Sequence, residues 1–180
     1  SVKYGVMRSR FSGGLHFFFD PRTDLAIDYD FAHYRSAEIG GVDYRDNGHF
    51  GEVDFNRVVG ASDSISFDLG LESVWYGFAG RDRGVFMGFF NPRLYQRYLL
   101  TPRIYGRLYG PVGYDLRGGI GTQKSDKDNP WKLGGRVSPT LTFKVNDHFS
   151  FGVGYTYYNT AQALGTLRGN AVRVTTDWRF

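Results

Sequence analysis

Phe149-Ser150-Phe151-Gly152-Val153-Gly154-Tyr155-Thr156-Tyr157 decides the fold class. Phe149, Phe151, Val153, Tyr155 and Tyr157 fall on one parity, and Ser150, Gly152, Gly154 and Thr156 on the other. A period of two is the pleat of a β-strand, whose successive side chains point to opposite faces. Downstream, Val172, Val174, Thr176, Trp178 and Phe180 share a face against Arg173, Thr175, Asp177 and Arg179. Upstream, Leu133, Val137, Leu141, Phe143 and Val145 alternate with Arg136, Ser138, Thr140 and Lys144. Tyr114, Leu116 and Ile120 alternate with Asp115, Arg117 and Gln123, and Tyr98, Leu100, Pro102, Ile104 and Leu108 with Arg97, Thr101, Arg103 and Arg107. Ile65, Phe67, Leu69, Leu71 and Trp75 oppose Ser66, Asp68, Gly70 and Glu72, while Leu25, Ile27, Tyr29 and Phe31 oppose Asp24, Ala26, Asp28 and Asp30. The first such segment sets Met7, Phe11, Leu15, Phe17 and Phe19 against Arg8, Arg10, Ser12 and His16. Residues 48–60 are less regular: Val53, Phe55 and Val59 share a parity with Arg57, against Glu52, Asp54 and Asn56.

This pattern predicts an all-β chain of about nine antiparallel strands, each roughly 11–15 residues long, against about 5–6 in ordinary sheets. A tilted strand that crosses a bilayer needs about 9–11 residues plus its ends. Asp20-Pro21-Arg22-Thr23, Ala61-Ser62-Asp63, Gly110-Pro111 and Asn146-Asp147 carry turn chemistry. Longer polar stretches at 36–47, 79–94, 124–131 and 159–166 lie between them. Short turns on one side and long loops on the other are the asymmetry of outer-membrane β-barrels. A soluble barrel or β-sandwich with uneven hairpins is the competing architecture.

The rest of the composition agrees. The 180 residues fit a single barrel domain, 1–180, and 41% apolar against 22% charged is not the balance of a disordered chain. Mean hydropathy is −0.38, as expected where apolar residues alternate with polar ones. There is no cysteine, hence no disulfide framework. The net charge of +4, with Asp and Glu interleaved among Arg, gives no basic patch for nucleic acid. The chain opens Ser1-Val2-Lys3 without Met or a signal-peptide pattern, which predicts a processed chain or a piece of a longer one. An odd strand count predicts the C-terminal part of a larger, even-stranded barrel. A tenth strand over Val85 to Phe90 would restore an even count within these residues.

With lipid outside, the charged parity faces a wet lumen. Arg8, Arg10, Asp28, Asp30 and Tyr34 come from the first two strands, where the two arginines are expected to face the two aspartates. Asp68, Glu72, Arg97, Arg103, Tyr105 and Arg107 come from the middle, and Asp115, Arg117, Arg136, Lys144, Arg173 and Asp177 from the rest. An Arg on the lipid face at midplane costs about 2–4 kcal/mol, so Arg57 and His33 are expected near an interface. Phe17, Phe19, Tyr109, Trp178 and Phe180 on the short-turn side, with Trp75, Phe78, Tyr155 and Tyr157 on the other, read as two aromatic girdles. The final strand, ending in Trp178 and Phe180, resembles the signal that barrel-assembly machinery reads in bacterial outer-membrane proteins.

Gly88-Phe89-Phe90-Asn91-Pro92-Arg93-Leu94-Tyr95 resembles the Gly-aromatic-aromatic-Ser-Pro-Gln-x-Tyr loop in the C-terminal barrel of cellulose synthase operon protein C. Leu100-Thr101-Pro102, Tyr114-Asp115-Leu116-Arg117, Gly121-Thr122-Gln123 and the ending from Gly169 to Phe180 are similar to that family as well. Asn91 and Arg93 stand where the family has Ser and Gln. The resemblance implies a Gram-negative outer-membrane exporter of an exopolysaccharide such as cellulose. It also implies periplasmic tetratricopeptide repeats and an inner-membrane synthase as partners, beside outer-membrane lipids and the polysaccharide.

The residues offer no catalytic or metal constellation. His16, His33, His49 and His148 stand at no metal-ligand spacing, so no metal or cofactor is expected. His16 reads as a lumen residue and His148 as a turn residue. Ser150 and His148 could form a hydrolase pair only at a turn on the periplasmic side, so no enzyme activity is expected. Gly118-Gly119-Ile120-Gly121 precedes no helix and reads as strand glycines in a crowded lumen rather than a phosphate loop. The functional expectation is a passive export conduit. The alternative is a small structural or adhesive barrel with a plugged lumen and binding loops at 36–47 and 79–94.

Overall fold

The computed structural model describes residues 7–35, 45–79, 93–126, 128–162 and 165–178. Nine strands follow one another: β1 (Met7–Asp20), β2 (Thr23–Arg35), β3 (Arg45–Ala61), β4 (Ile65–Phe78), β5 (Tyr95–Tyr109), β6 (Val112–Ser125), β7 (Lys132–Lys144), β8 (Phe149–Gln162) and β9 (Gly165–Trp178). They pair antiparallel in chain order into one sheet, β1 at one edge and β9 at the other. β1 and β9 do not pair with each other, so these strands form an open wall rather than a closed barrel.

The register carries one parity through the whole sheet. Asp28, Glu52, Val74, Arg97, Gln123 and Lys132 form a continuous cross-strand row on one face. The next row on that face runs through His16, Ala26, Asp54, Glu72, Leu99, Gly121 and Gly134. The opposite face shows Phe11, Leu15, Leu71, Leu100, Leu116, Ile120, Val172 and Val174, all exposed.

A single sheet has no second layer to cover it. Yet Gln123 is 0% exposed, and Glu72 and Leu99 are each 2% exposed, all on the charged face. Only curvature can bury one face of a lone sheet, so the charged face is concave. Glycines make room on it. A Cβ at Gly119 would lie 3.0 Å from Cγ of Arg136 and 3.1 Å from Cδ1 of Leu99. A Cβ at Gly121 would run into the carbonyl oxygen of Tyr98 on β5.

Several expectations change in detail. β8 and β9 continue through most of 159–166, leaving only 163–164 between them, because Gln162 pairs with Gly165. Tyr155 and Tyr157 face outward but lie mid-strand for that reason. Phe78 is buried on the concave face, packed against Tyr34 (5.1 Å) and Tyr76 (5.0 Å), so it belongs to no girdle. In β3 the register shifts at a bulge between Val58 and Gly60, while Arg57 keeps the outward parity of Val53 and Phe55, opposite Leu69. Gly110, at φ +51°, turns β5 into β6. In the β7–β8 turn, a hydrogen bond from Lys144 holds the Asp147 carboxyl below the usual carboxylate range. The rival strand over Val85 to Phe90, and Phe180, lie outside the described residues.

Gly121→Ala is expected to strain the β5–β6 ladder by about 1–3 kcal/mol. Gly13→Ala, which meets nothing within 4 Å, is expected to be neutral or mildly stabilising. Urea unfolding of the two variants against the parent protein measures both.

Candidate functional site

The concave face is divided by sign. On β2–β4 its charged residues are Asp24, Asp28, Asp30, Asp46, Glu52, Asp54, Asp68 and Glu72. On β5–β7 they are Arg97, Arg103, Arg107, Arg117, Lys132, Arg136 and Lys144, with Asp115 as the exception. Strand parity puts each segment's charges on the face that its apolar residues leave, and the sign follows from which residues each segment carries.

Ion pairs stitch the seam between the two halves. The Glu72 carboxylate, with its side chain 1% exposed, meets Arg97 at 2.7 Å and Arg136 at 2.5 Å. Arg97 comes from the adjacent strand. Arg136 comes from β7, so its side chain passes over Gly119 of β6 and Leu99 of β5 to reach β4. Further along, Arg103 lies 3.6 Å from Asp68 and holds Asp115 with two bonds of 3.0 and 2.8 Å. Arg117 adds a third cationic contact to Asp115 at 3.0 Å. The Arg103 guanidinium also covers the Tyr105 ring at 4.2 Å.

Beside this seam is a recess of about 300 Å³. Its lining includes Asp24, Asp54, Asn56, Thr101, Arg117 and Arg136. Acceptors from β2–β4 face donors from β5–β7 across it, a composition suited to hydroxyl groups. The β5–β6 ladder is interrupted here, where Pro102 lacks an N–H and packs 3.3 Å from the Cβ position of Gly118.

All seventeen sequence-predicted lumen residues fall on this one face by register. Arg10 pairs with Asp30, as expected. Arg8 does not reach Asp28; it stands 5.5 Å over the Tyr34 ring, because Asp28 is opposite Gly14. Lys144 is taken up by Asp147 at the short-turn end (2.7 Å). Arg173 and Asp177 lie on β9, away from the seam. His16 is on the concave face, 3.0 Å from Asp24, and His148 lies in the β7–β8 turn. Trp178 ends β9 on the convex face, 5.5 Å from Phe149.

Sequence reasoning left Gln123 out of the lumen set, although it shares the parity of Arg117 and Asp115. It is the best buried side chain of the face. Tyr95 donates to its Oε1 (2.8 Å), and its Nε2 donates to the Leu133 carbonyl (3.1 Å). Glu52 and Asp54 lie beside Glu72 with carboxylate oxygens within 4.8 Å of one another. Both oxygens of Glu72 are already engaged by guanidinium groups, Oε1 by Arg97 and Oε2 by Arg136.

Glu72→Ala removes the buried carboxylate that Arg97 and Arg136 both meet, and unfolding free energy is expected to fall by about 3 kcal/mol. Arg136→Ala keeps the Arg97 contact and is expected to cost less. Denaturant titration of the folded barrel, with the Glu72→Ala/Arg136→Ala double variant to close the cycle, reads the coupling.

No family model matches the chain, and no curated protein sequence matches it. Among solved structures, a bacterial polysaccharide outer membrane secretin superposes with a TM-score of 0.78 at 12% identity. The match covers 98% of this chain and 58% of that one, so the chain spans well under two thirds of that structure's length. The likeness is one of fold: the nine strands form an antiparallel wall of the outer-membrane β-barrel type.

Proposed function

We propose that this chain is part of the wall of an outer-membrane conduit through which a polysaccharide leaves a Gram-negative cell. The observation that carries the reading is the distribution of charge. Every Asp and Glu of β2–β9 lies on the concave face, while the convex face presents exposed Leu, Ile, Val and Phe. A convex apolar face suits lipid, and a concave polar one suits water and sugar hydroxyls. The fold shared with a polysaccharide outer membrane secretin supports the same reading.

The polymer would pass along many weak polar contacts rather than one tight site, since strong binding at one place stalls transport. The recess at Asp54, Asn56 and Thr101 and the Tyr105 ring are such contacts. Among polymers, the motifs around Leu100-Thr101-Pro102 and Tyr114-Asp115-Leu116-Arg117 favour a neutral glucan such as cellulose. The Gly88 to Pro92 part of that resemblance lies outside the described residues. No catalytic step is part of this proposal. The synthase that makes the polymer and the helical repeats that guide it would be separate elements.

The two unpaired edges, β1 and β9, call for further strands to close the wall.

Two measurements test the reading. Brominated lipid chains are expected to quench Trp75, Trp131 and Trp178 in vesicles, since these side chains stand on the convex side. In planar bilayers the full-length polypeptide is expected to give stable openings that cello-oligosaccharides partly block. Quenching without any openings would point instead to the plugged, adhesive barrel.

A further inference from the structure

β1 carries one large apolar side chain on its polar parity. Phe17 and Phe19 point outward, whereas Phe18 is the cross-strand partner of Asp24 and stands on the concave face. Its ring packs on that of His16, with centroids 4.2 Å apart, and is 74% exposed, so the far side of the ring is open. A phenyl group this exposed buries little apolar area and contributes little to the fold. A further strand beside β1 would extend the wall sideways and leave the concave side of Phe18 open.

The register leads from Phe18 straight into hydrogen-bonding groups. Phe18 pairs with Asp24, Asp24 with Asn56, Asn56 with Gly70 and Gly70 with Thr101. His16 Nε2 lies 3.0 Å from Asp24 Oδ1, and Asn56 Nδ2 points at the same oxygen from 3.5 Å. Gly70 leaves a gap in the row. A Cβ there would lie 2.6 Å from both Asn56 Oδ1 and Thr101 Oγ1, so the amide and the hydroxyl lean over the glycine from either side. Asp24, Asn56 and Thr101 belong to the lining of the 300 Å³ recess. The row is inclined: Phe18 is close to the short-turn end of β1, and Thr101 lies near the middle of β5. Four strand spacings, about 19 Å, separate them. A chain laid along the row therefore passes from the short-turn mouth toward the interior of the wall.

A pyranose presents two kinds of surface, C–H bonds on its ring faces and hydroxyls around its rim. The face of a phenyl ring is apolar and carries the negative part of its quadrupole, which suits C–H bonds. Asn and Thr side chains both donate and accept, and Asp accepts, which suits hydroxyls. We propose that Phe18, backed by His16, is an entry subsite for a neutral sugar chain: the ring takes the C–H face of one pyranose, and Asp24, Asn56 and Thr101 take hydroxyls of the units that follow. The subsite deepens the conduit reading and rests on it for the direction of travel; binding itself requires only the concave face.

Titration of the full-length polypeptide in detergent micelles with cellotetraose, read by calorimetry and saturation-transfer NMR, tests it. Phe18→Leu keeps an apolar side chain but removes the flat ring, and affinity is expected to fall at least threefold. Phe18→Tyr keeps the ring and is expected to stay within twofold of the parent. So is Phe17→Ala, which removes the neighbouring outward ring. Unchanged affinity in Phe18→Leu overturns the subsite, as does an equal loss in Phe17→Ala. Absence of cellotetraose binding, or equal affinity for sorbitol, which has hydroxyls but no ring face, overturns it too. Should Phe18→Leu not assemble, Thr101→Val reads the polar end of the row: a threefold loss or more supports the subsite and no loss overturns it. The conduit reading fails separately, as cellotetraose binding that depends on Phe18 without openings in planar bilayers.

Discussion

The rest of the structure depends on one carboxylate. Glu72 is withdrawn from water in the middle of the sheet and is neutralised by Arg97 from one strand away and Arg136 from three strands away. On a flat sheet, three strand spacings are about 14 Å. Bringing these groups into contact over β5 and β6 needs a curled sheet, a glycine under the Arg136 stem and a short apolar pad. Gly119 and Leu99 supply the last two. A buried ion group contributes little net stability compared with an apolar core, but it is costly to break. Its effect is to exclude arrangements: a register slip of one residue would turn Glu72 into the apolar face and leave both guanidinium groups without it.

That constraint decides what each face can touch. A soluble sheet hides its apolar face against a second layer, and among the described residues this sheet has no second layer. Its apolar residues form one continuous convex surface, far beyond the few hundred Å² that monomeric soluble proteins usually expose. The described strands cannot cover it themselves, because curvature carries them away from it. Lipid, or an equally apolar surface, is the environment in which such a face is stable.

Much of this was legible in the sequence because a strand records its two faces as two parities. Parity alone placed Arg103, Asp115, Arg136 and Glu72 on one face, and it marked Arg57 and His33 as exceptions. Other features were not legible. Strand pairing is not written in parity, so the reach of Arg136 across two strands needed the register. The aromatic contact of Tyr34 with Phe78 depends on β2 and β4 both flanking the short Gly48 of β3, a relation between three distant segments. The last hairpin was misjudged because its polar, Gly-containing ends resemble a loop, whereas pairing keeps them extended to Gln162 and Gly165.

The concave face is not uniformly charged. Acids dominate β2–β4 and bases dominate β5–β7, so the potential changes sign around the wall rather than along its axis. A polyanion following the basic half would be held by it, and a polycation would be held by the acidic half. A neutral chain of hydroxyls has no such preference and can exchange hydrogen bonds with both as it moves. The seam at Glu72, Asp68 and Arg103 further cancels charge where the two halves meet. If the wall is the conduit proposed above, this arrangement suits an uncharged polymer better than a charged one, without any single residue acting as a selectivity site.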